Sequence, residues 1–313
     1  MYSLIIPVYN NEKTIEDLIS AVAGLNGDLD GLLEAVFVVD GSPDNSYLEL
    51  STRLTNAPFP ATLIHHSRNF GSFAAIRTGL KAAQGPFFAV MAADLQEPPD
   101  LVREMFTALR QNKADVTLGV RASRDDPALS QALSRLFWAT YCRFIQPEMP
   151  RGGVDMFGCN QKVRDCLLSL EESNSTLVGL LLWIGFRRQE IPYHRRPRKE
   201  GKSGWTFRRK FRYMTDSMFA FSNLPIITLN IVGLLGIVTS VVVGTAISLF
   251  WSLGWIQLSG YTPIMLSIMF FGALNIFGLG LLGSYIWRAF ENTKHRPNCI
   301  EMSRERFSGG TPQ

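Results

Sequence analysis

The sequence predicts an α/β domain with a mostly parallel sheet, followed by an amphipathic helix and a hairpin of two membrane-spanning helices. In the first 120 residues, short apolar runs alternate with longer amphipathic stretches, which is the pattern of strands joined by crossover helices. Between Asp216 and Arg288 lie 71 consecutive residues without a charged or histidine side chain. That length is enough for two spans of about 20 residues each and a turn.

The alternation predicts strands at residues 3–8, 35–40, 61–65, 87–92 and 115–120, and helices at 12–23, 44–54, 72–83 and 100–112. A further helix, rich in aromatic residues, is predicted at 127–145, followed by a strand near 154–160. Ligands of parallel α/β sheets bind beyond the carboxyl ends of the strands. The segments PVYNN (7–11), VDGSPD (39–44) and ADLQ (93–96) fall at such ends, so we expect them to form a site.

The uncharged region divides into spans at 226–251 and 263–287, joined by a turn that contains Gly254, Trp255, Gly260 and Tyr261. Lys and Arg beside a span are retained on the cytoplasmic side of the membrane. Eleven of them, against two Glu, lie between residues 187 and 212, and more follow the second span, whereas the turn has none. We therefore expect both ends of the chain in the cytoplasm.

The net charge of +4 hides this local basic stretch. Taken alone, the stretch is equally compatible with a lipid headgroup anchor and with binding of an anionic substrate. Nucleic acid is disfavoured as a partner, because the basic stretch is followed directly by the uncharged region that contains the two predicted membrane spans. Residues 206–221 mix Arg and Lys with Phe, Tyr and Met, as expected for a helix in the membrane interface.

The four cysteines show no C-x-x-C spacing and are expected to be reduced thiols.

Seven motifs occur in order along the chain: PVYNN, VDGSPDNS, SRNFGSFAAIRTGL, AADLQEPP, GGVDMFG, RKEGKSGW and LLGSYIWRAFENTKHRP. Together they resemble the inverting family 2 glycosyltransferases of the polyprenyl-phosphate type. That group contains the dolichol-phosphate mannose synthases and the undecaprenyl-phosphate glycosyltransferases. The resemblance runs from residue 3 to about residue 300.

The resemblance implies a Rossmann-like GT-A catalytic domain at residues 1–205, an interfacial helix at 206–225, two transmembrane helices at 226–287 and a cytoplasmic tail at 288–313. It implies transfer of a sugar from a nucleotide-sugar donor to polyprenyl (undecaprenyl) phosphate at the cytoplasmic face of the bacterial inner membrane. Glycines in the spans are compatible with close helix packing and a homo-oligomer. They are Gly233, Gly236, Gly272, Gly278, Gly280 and Gly283.

The implied reaction displaces a nucleoside diphosphate from the anomeric carbon of the sugar, so the site must neutralise charge on the leaving group. Asp94 and Gln96 alternate along an extended segment and share one side of it. By resemblance both would hold Mg2+ or Mn2+, with Asp94 as a catalytic residue. The residues that the resemblance assigns to the donor are Pro7, Tyr9, Asn10, Asp40, Gly41, Ser42, Asn69, Gly71, Asp94 and Gln96.

The acceptor needs little activation, because a phosphate monoester has a second pKa near about 6 and is largely dianionic at neutral pH. Asp155, at an acidic position of the family, is therefore expected to orient the acceptor or a nearby cation; a surface or helix-capping aspartate is the equal alternative. The segment R-x-x-G-x-S is expected to close over the phosphates, because the Arg fork can pair with two oxygens. It comprises Arg198, Gly201, Lys202 and Ser203, with Arg198 as a catalytic residue.

Three acids of the family are missing, since this chain has Asn11, Val39 and Ala92 in their places. By resemblance these positions flank the base and ribose, whereas Asp94 and Gln96 belong to the diphosphate and metal. The pattern favours an altered nucleotide pocket, with a deoxyribose donor as one hypothesis. The alternative is an inactive nucleotide-sugar or lipid-binding pseudoenzyme with a regulatory or scaffold role.

Two further classes of protein, processive polysaccharide synthases and transporters, are disfavoured. His65 and His66 are given no functional role. A processive polysaccharide synthase would need more spans and a Q-x-x-R-W motif, which the sequence lacks. A transporter would need a polar path, which two spans without an ionisable residue do not offer. His65 and His66 have no metal-ligand partners at a suitable spacing and are read as structural.

Overall fold

The computed structural model describes residues 1–122, 142–143, 145–150, 153–170, 172, 175–196, 207–255 and 260–310. The chain divides into two compact units. The first comprises Met1–Tyr213 and Arg296–Gln313, and the second comprises Met214–His295.

The first unit is an α/β domain. Its strands are β1 (Tyr2–Val8), β2 (Leu33–Val39), β3 (Ala61–His66), β4 (Phe87–Val90), β5 (Val116–Arg121), β6 (Met156–Asn160), β7 (Arg188–Tyr193) and β8 (Glu301–Phe307). Its helices are a 3-10 turn at Glu12–Thr14, α1 (Ile15–Asp28), α2 (Ser46–Leu54), α3 (Ser72–Ala82), α4 (Pro99–Arg110), α5 (Gln161–Ser169) and α6 (Leu177–Trp183).

The eight described strands form one mixed sheet in the order β7-β5-β6-β4-β1-β2-β3-β8. β4, β1, β2 and β3 run parallel at its centre, and β5 and β7 form a second parallel pair. β6 is antiparallel to β4 and β5, and β8 is antiparallel to β3. The predicted fold class, a mostly parallel sheet with crossover helices, is confirmed.

The central strands are apolar because both faces of the sheet are covered. All seven residues of β2 are buried, as expected for a parallel strand between two layers of helices. Pro7 is tolerated in β1 because it lies near the end of the strand, beyond the last β1–β4 pair of Ile5 with Val90.

Several elements differ from the sequence prediction. β7, β8, α5 and α6 were not predicted, and most of the helix expected at 127–145 lies outside the described residues. The region predicted as a tail at 288–313 contains β8, which pairs with β3 from Ala61 to His66. The partly buried side chains of β8 are Ser303, Glu305 and Phe307. Since two of these three are polar, this edge strand has no apolar alternation for a sequence pattern to detect.

The second unit consists of long apolar helices, preceded by α7 (Phe207–Phe221). α8 (Leu224–Ser252) and α9 (Tyr261–Thr293) contain the predicted spans. Stretches of 27 residues in each, Leu224–Phe250 and Ser267–Thr293, are long and apolar enough to cross a membrane. Asp216 and Arg288, which bracket the uncharged region in sequence, form an ion pair at 2.7 Å.

Candidate functional site

The segments predicted to form a site do lie at the carboxyl ends of β1, β2 and β4, which are neighbours in the sheet. The site has two parts. We call residues 9–12, 40–46 and 67–71 the loop cluster. The charged cluster comprises Asp94, Gln96, Glu97, Arg121, Asp155, Tyr193 and Arg195.

In the loop cluster, the turns that follow β1 and β2 are joined by hydrogen bonds. The backbone N–H of Asn10 donates to Ser42 Oγ at 2.8 Å, and Ser42 Oγ donates to Asp44 Oδ1 at 2.5 Å. The N–H of Glu12 donates to Asp44 Oδ2 at 3.0 Å. Burial alone would raise the pKa of Asp44, but hydrogen bonds from Ser42, Ser46 and Glu12 outweigh it and lower the pKa. Asp44 therefore stays ionised and fixes both turns.

Asp40 is 2% exposed, and the neighbouring loop surrounds its carboxylate. Oδ1 accepts hydrogen bonds from His66 Nδ1 and from the N–H of Phe70, both at 2.9 Å. Oδ2 accepts from the N–H of Gly71 at 2.7 Å. The structure thus gives Asp40 a positioning role, because it joins the end of β2 to the start of α3. Direct contact of Asp40 with a donor stays a prediction.

A chain of polar contacts continues behind Asp40. His66 Nε2 lies 3.0 Å from Thr78 Oγ1, which lies 2.9 Å from Cys299 Sγ. Burial alone would lower the pKa of His66, but its contacts with Asp40 and Cys299 outweigh burial and raise the pKa to about 9. His66 therefore carries a positive charge at neutral pH. No local sequence pattern predicts this contact, because Cys299 is far from His66 along the chain.

Glycines shape the loop cluster where the backbone needs a left-handed conformation. Gly41 has φ +55°, and a Cβ atom there would lie 2.2 Å from the carbonyl carbon of Arg68. Gly71, at the start of α3, has φ +100°. At Gly41 the close approach of the Arg68 backbone excludes a side chain, and at Gly71 the φ value itself strongly favours glycine.

The remaining predicted donor residues line the open side of the same cluster. Tyr9 is 40% exposed, Asn10 and Asn69 are exposed, and Pro7 is half-buried. The structure therefore brings all the predicted donor residues of the loop cluster to one edge of the sheet. Their contacts with a donor stay predictions.

In the charged cluster, Gln96 holds the segment that follows β7. Arg195 Nη2 donates to Gln96 Oε1 at 2.6 Å, and Gln96 Nε2 donates to the carbonyl of Arg196 at 3.3 Å. The N–H of Arg196 donates to the carbonyl of Gln96 at 2.9 Å. The N–H of Gln96 in turn lies 3.4 Å from Asp94 Oδ1. A guanidinium is thus already in place against the amide oxygen that was predicted to bind a metal.

Glu97 is the most buried acid of this cluster, at 2% exposed. Its Oε1 lies 3.8 Å from Arg195 Nη2, and its Oε2 has no hydrogen-bond partner among the described residues. Burial, followed by the charge of Asp94, raises the pKa of Glu97 to about 7, against the opposing effect of Arg195. The charge of Glu97 thus depends on which cation lies beside it.

Asp155 is fixed by two neighbours. Arg121 Nε and Nη2 donate to its two carboxylate oxygens at 2.5 and 2.8 Å, and Tyr193 Oη donates to Oδ2 at 2.7 Å. Burial would raise the pKa of Asp155, but Arg121 and Tyr193 outweigh it and lower the pKa. Asp155 is an exposed residue, so the alternative of a surface aspartate stays open beside the predicted role toward the acceptor. Asp155 is the ionised partner of a cation at the end of β5.

The ligand chemistry of the charged cluster suits a hard divalent cation. Its acceptors are carboxylate and amide oxygens, which Mg2+ and Mn2+ prefer, and a guanidinium already lies against two of them. Among the described residues, no three His, Cys, Asp or Glu side chains are close enough to share a metal. A cation held here must therefore take further ligands from Gln96, from water or from the bound substrate.

Some site predictions lie outside the described residues, and some site residues were missed. Arg198, Gly201, Lys202 and Ser203 belong to the first group. Glu97, Arg121, Tyr193 and Arg195 belong to the second. Glu97 lies inside the motif AADLQEPP and Arg195 inside the basic stretch, but no spacing rule links these residues, which come from separate segments.

The three replaced acids have different surroundings. Asn11 Oδ1 accepts from the N–H of Tyr9 at 3.1 Å, so its amide supports the β1 turn. Val39 is fully buried in the hydrophobic core. Ala92 is partly buried and precedes Asp94 by two residues. Of the three, only Ala92 lies in the segment that carries the charged cluster.

A sheet of this topology, with polar loops and acids at the carboxyl ends of its central parallel strands, defines a Rossmann-like α/β domain of the GT-A type. Residues 3–167 match glycosyl transferase family 2. The chain belongs to this family and is a glycosyltransferase. The resemblance drawn from the motifs is confirmed.

Curated relatives match nearly the whole chain. An uncharacterized glycosyltransferase of Synechocystis is 28% identical over 94% of this chain and 92% of its own length. The bactoprenol glucosyl transferase of Shigella phage SfV is 26% identical over 95% and 97%. The undecaprenyl-phosphate 4-deoxy-4-formamido-L-arabinose transferase of Yersinia pestis is 29% identical over 94% and 90%. Each of these alignments is long enough to include the apolar helices as well as the α/β domain.

Proposed function

We propose that the chain transfers a sugar, with inversion, from a nucleotide-sugar donor to polyprenyl phosphate at the cytoplasmic face of the bacterial inner membrane. The observation that carries the proposal is the full-length similarity to two transferases named for bactoprenol and undecaprenyl phosphate. A lipid-linked acceptor requires an enzyme at the membrane surface. The two apolar helices of this chain supply the means of anchoring it there.

The membrane arrangement follows from the charge distribution. The basic stretch before the first span and the positive residues after the second favour a cytoplasmic location for both ends. Residues 1–205 would then form the cytoplasmic catalytic domain, with 206–225 in the interface and 226–287 across the membrane. The segment after the second span would remain on the catalytic side, which agrees with β8 being part of the sheet.

In the proposed reaction, an oxygen of the acceptor phosphate attacks the anomeric carbon. The bond from that carbon to the donor diphosphate breaks, and the nucleoside diphosphate leaves. The loop cluster would hold the nucleoside, with Tyr9, Asn10 and Asn69 on its open side. Asp94 and Gln96 would hold Mg2+ or Mn2+, which when bound neutralises charge on the leaving diphosphate.

The acceptor requires orientation more than deprotonation, because a phosphate monoester is largely dianionic at neutral pH. Asp155 suits such a role, since it holds the Arg121 guanidinium in a bidentate pair. Arg121 would thus be a fixed positive charge beside the acceptor phosphate. Residues 198–203 would add the second phosphate contact.

The test uses full-length protein in detergent with undecaprenyl phosphate and purified UDP-, GDP- and dTDP-sugars, with mass analysis of the extracted lipid. We expect a sugar-phosphate lipid that requires Mg2+ or Mn2+. Asp94→Ala should lower the rate by about a hundredfold or more, because it removes charge stabilisation of the leaving group. Asp100→Asn is the matched control, since Asp100 is exposed, lies outside both clusters and pairs with Arg103.

The outcomes separate the alternatives. Donor binding without a lipid product for any nucleotide would favour the non-catalytic, pseudoenzyme reading. A product formed only from dTDP-sugars would support the hypothesis of a deoxyribose donor. A strong preference for a ribonucleotide donor would reject that hypothesis while leaving the transferase intact.

A further inference from the structure

Glu97 and Arg195 have contacts that the proposed reaction does not yet use. Glu97 is buried, and its Oε2 lacks a hydrogen-bond partner among the described residues. An unpaired buried carboxylate oxygen is costly, because it loses its hydration without a replacement. Its Oε1 faces Arg195 at 3.8 Å, longer than a hydrogen bond. Glu97 is thus an acid whose pairing is incomplete.

Arg195 lies between two oxygen-bearing side chains. Its Nη2 is 2.6 Å from Gln96 Oε1 and 3.8 Å from Glu97 Oε1. One positive charge is therefore already held where the acceptor oxygens of these two residues converge. The negative charge of Asp94 is close enough to act on Glu97.

The local backbone explains why Glu97 can join Gln96 in this arrangement. In an extended segment, neighbouring side chains point to opposite faces. Leu95 has φ +53°, so the extended conformation is interrupted between Asp94 and Gln96. The interruption allows Gln96 and Glu97 to share Arg195. It also brings Glu97 into the segment where Ala92 leaves the family pattern without an acid.

We propose that Arg195 is the cation held by Gln96 and Glu97 before a metal ion binds. When the divalent cation arrives, Arg195 leaves these two residues and pairs with the donor diphosphate. Glu97 then binds the divalent cation as the second acid beside Asp94. This inference rests on the proposed function for the identity of the donor. The proposed step is an exchange of cations at Glu97. The divalent cation neutralises both Asp94 and Glu97, whereas Arg195 faces Glu97 alone. The released guanidinium then pairs with the donor diphosphate.

The exchange is tested by Mn2+ binding to the full-length protein in detergent, measured by electron paramagnetic resonance without nucleotide. Arg195→Gln should bind Mn2+ about tenfold more tightly, because the competing cation has gone. Glu97→Gln should bind it about ten- to a hundredfold more weakly. Asp100→Asn is the control for loss of a nearby exposed acid and should match the unchanged protein.

A conservative variant keeps the test independent of folding defects. Glu97→Asp keeps a carboxylate at this position and should bind Mn2+ more tightly than Glu97→Gln does. Equal loss of affinity in both variants, together with equal loss of stability, would assign the effect of Glu97→Gln to the fold and reject Glu97 as a ligand. Arg195→Gln should also weaken binding of a nucleoside diphosphate in the presence of saturating Mn2+, since the released guanidinium is its proposed partner.

The inference is overturned if Arg195→Gln leaves Mn2+ affinity unchanged or lowers it, or if Glu97→Gln binds Mn2+ as the unchanged protein does. Sugar transfer together with such a result would reject the exchange and keep the proposed function. The expected Mn2+ affinities in a protein that transfers no sugar would reject the proposed function and keep the exchange.

Discussion

The loop cluster and the charged cluster lie at the same edge of the sheet but are built by different means. In the loop cluster, backbone N–H groups and short side chains supply hydrogen bonds to the buried Asp40 and the partly buried Asp44. In the charged cluster, acids meet guanidinium groups from other segments, and one buried carboxylate oxygen stays without a partner among the described residues. The first is complete without a ligand. The second has a charge arrangement that a ligand can change.

The difference separates recognition from chemistry. A preformed hydrogen-bond network costs little reorganisation on binding, which suits a part that holds a nucleoside. Charged side chains that can exchange partners suit the part of the site where negative charge builds up on the leaving diphosphate. Variants of the loop cluster should therefore affect folding together with donor affinity, whereas variants of the charged cluster should affect mainly metal affinity and rate.

The largest expected effect comes from Gly41→Ala, which would break the loop cluster. The new Cβ atom would lie 2.2 Å from the Arg68 carbonyl carbon at a φ of +55°, so the backbone must move. We expect a loss of about 3 kcal/mol or more in the free energy of unfolding, from the combined strain and overlap. Thermal unfolding in detergent micelles and nucleotide titration measure the two consequences.

Gly31→Ala is the matched control for this change. Gly31 also has a positive φ, +73°, but a Cβ atom there meets nothing within 4 Å. Only the conformational strain of about 1 kcal/mol is expected. Equal losses in the two variants would show that the contact with the loop at residues 68–69 is unimportant.

A smaller effect is expected from Asp155→Asn, which probes the charged cluster. The change leaves Arg121 without its bidentate partner, at a cost of about 1 to 3 kcal/mol in unfolding free energy. Transfer should fall further than donor affinity, because Arg121 would lose its fixed position beside the acceptor. Steady-state rates at varied donor and acceptor concentrations measure this.

Tyr193→Phe sharpens the same comparison. It removes the 2.7 Å hydrogen bond to Asp155 and keeps the ion pair with Arg121. We expect a cost of about 1 kcal/mol and nearly unchanged transfer. If Tyr193→Phe slowed transfer as much as Asp155→Asn, the role assigned to Arg121 would be wrong.

The two clusters also differ in how far the sequence predicts them. The loop cluster is made of contiguous motifs that follow strands, so the pattern of β1 and β2 was enough to place Asn10, Gly41 and Ser42 together. The partners in the charged cluster come from separate segments, and no local pattern connects Arg121 to Asp155 or Arg195 to Gln96. Similarly, β8 was missed because an edge strand with polar inward residues lacks the period-two apolar signal.

The smallest expected effect concerns pH and the His66 charge behind Asp40. The pKa of His66 is raised to about 9 from an ordinary value of 6.5. The stabilisation is therefore fully present below about pH 6.5 and is lost as the pH rises through about 9. Between pH 7 and 8, we expect unfolding free energy to fall by about 1 kcal/mol.

The Cys299 thiol acts with the opposite sign, because contact with His66 lowers its pKa, and neighbouring His65 also carries a lowered pKa. The measurement is therefore made in the unchanged protein and in Cys299→Ser, with thermal unfolding followed from pH 6 to 9. The decline should be smaller in Cys299→Ser, because one of the two contacts that raise the pKa of His66 is gone and only Asp40 remains. Adding His66→Gln should remove the decline, whereas His65→Gln, next to it on β3 and stacked on Tyr47, should keep it. A decline that persists in His66→Gln would assign the pH dependence to another group and leave Asp40 without its proposed charged partner.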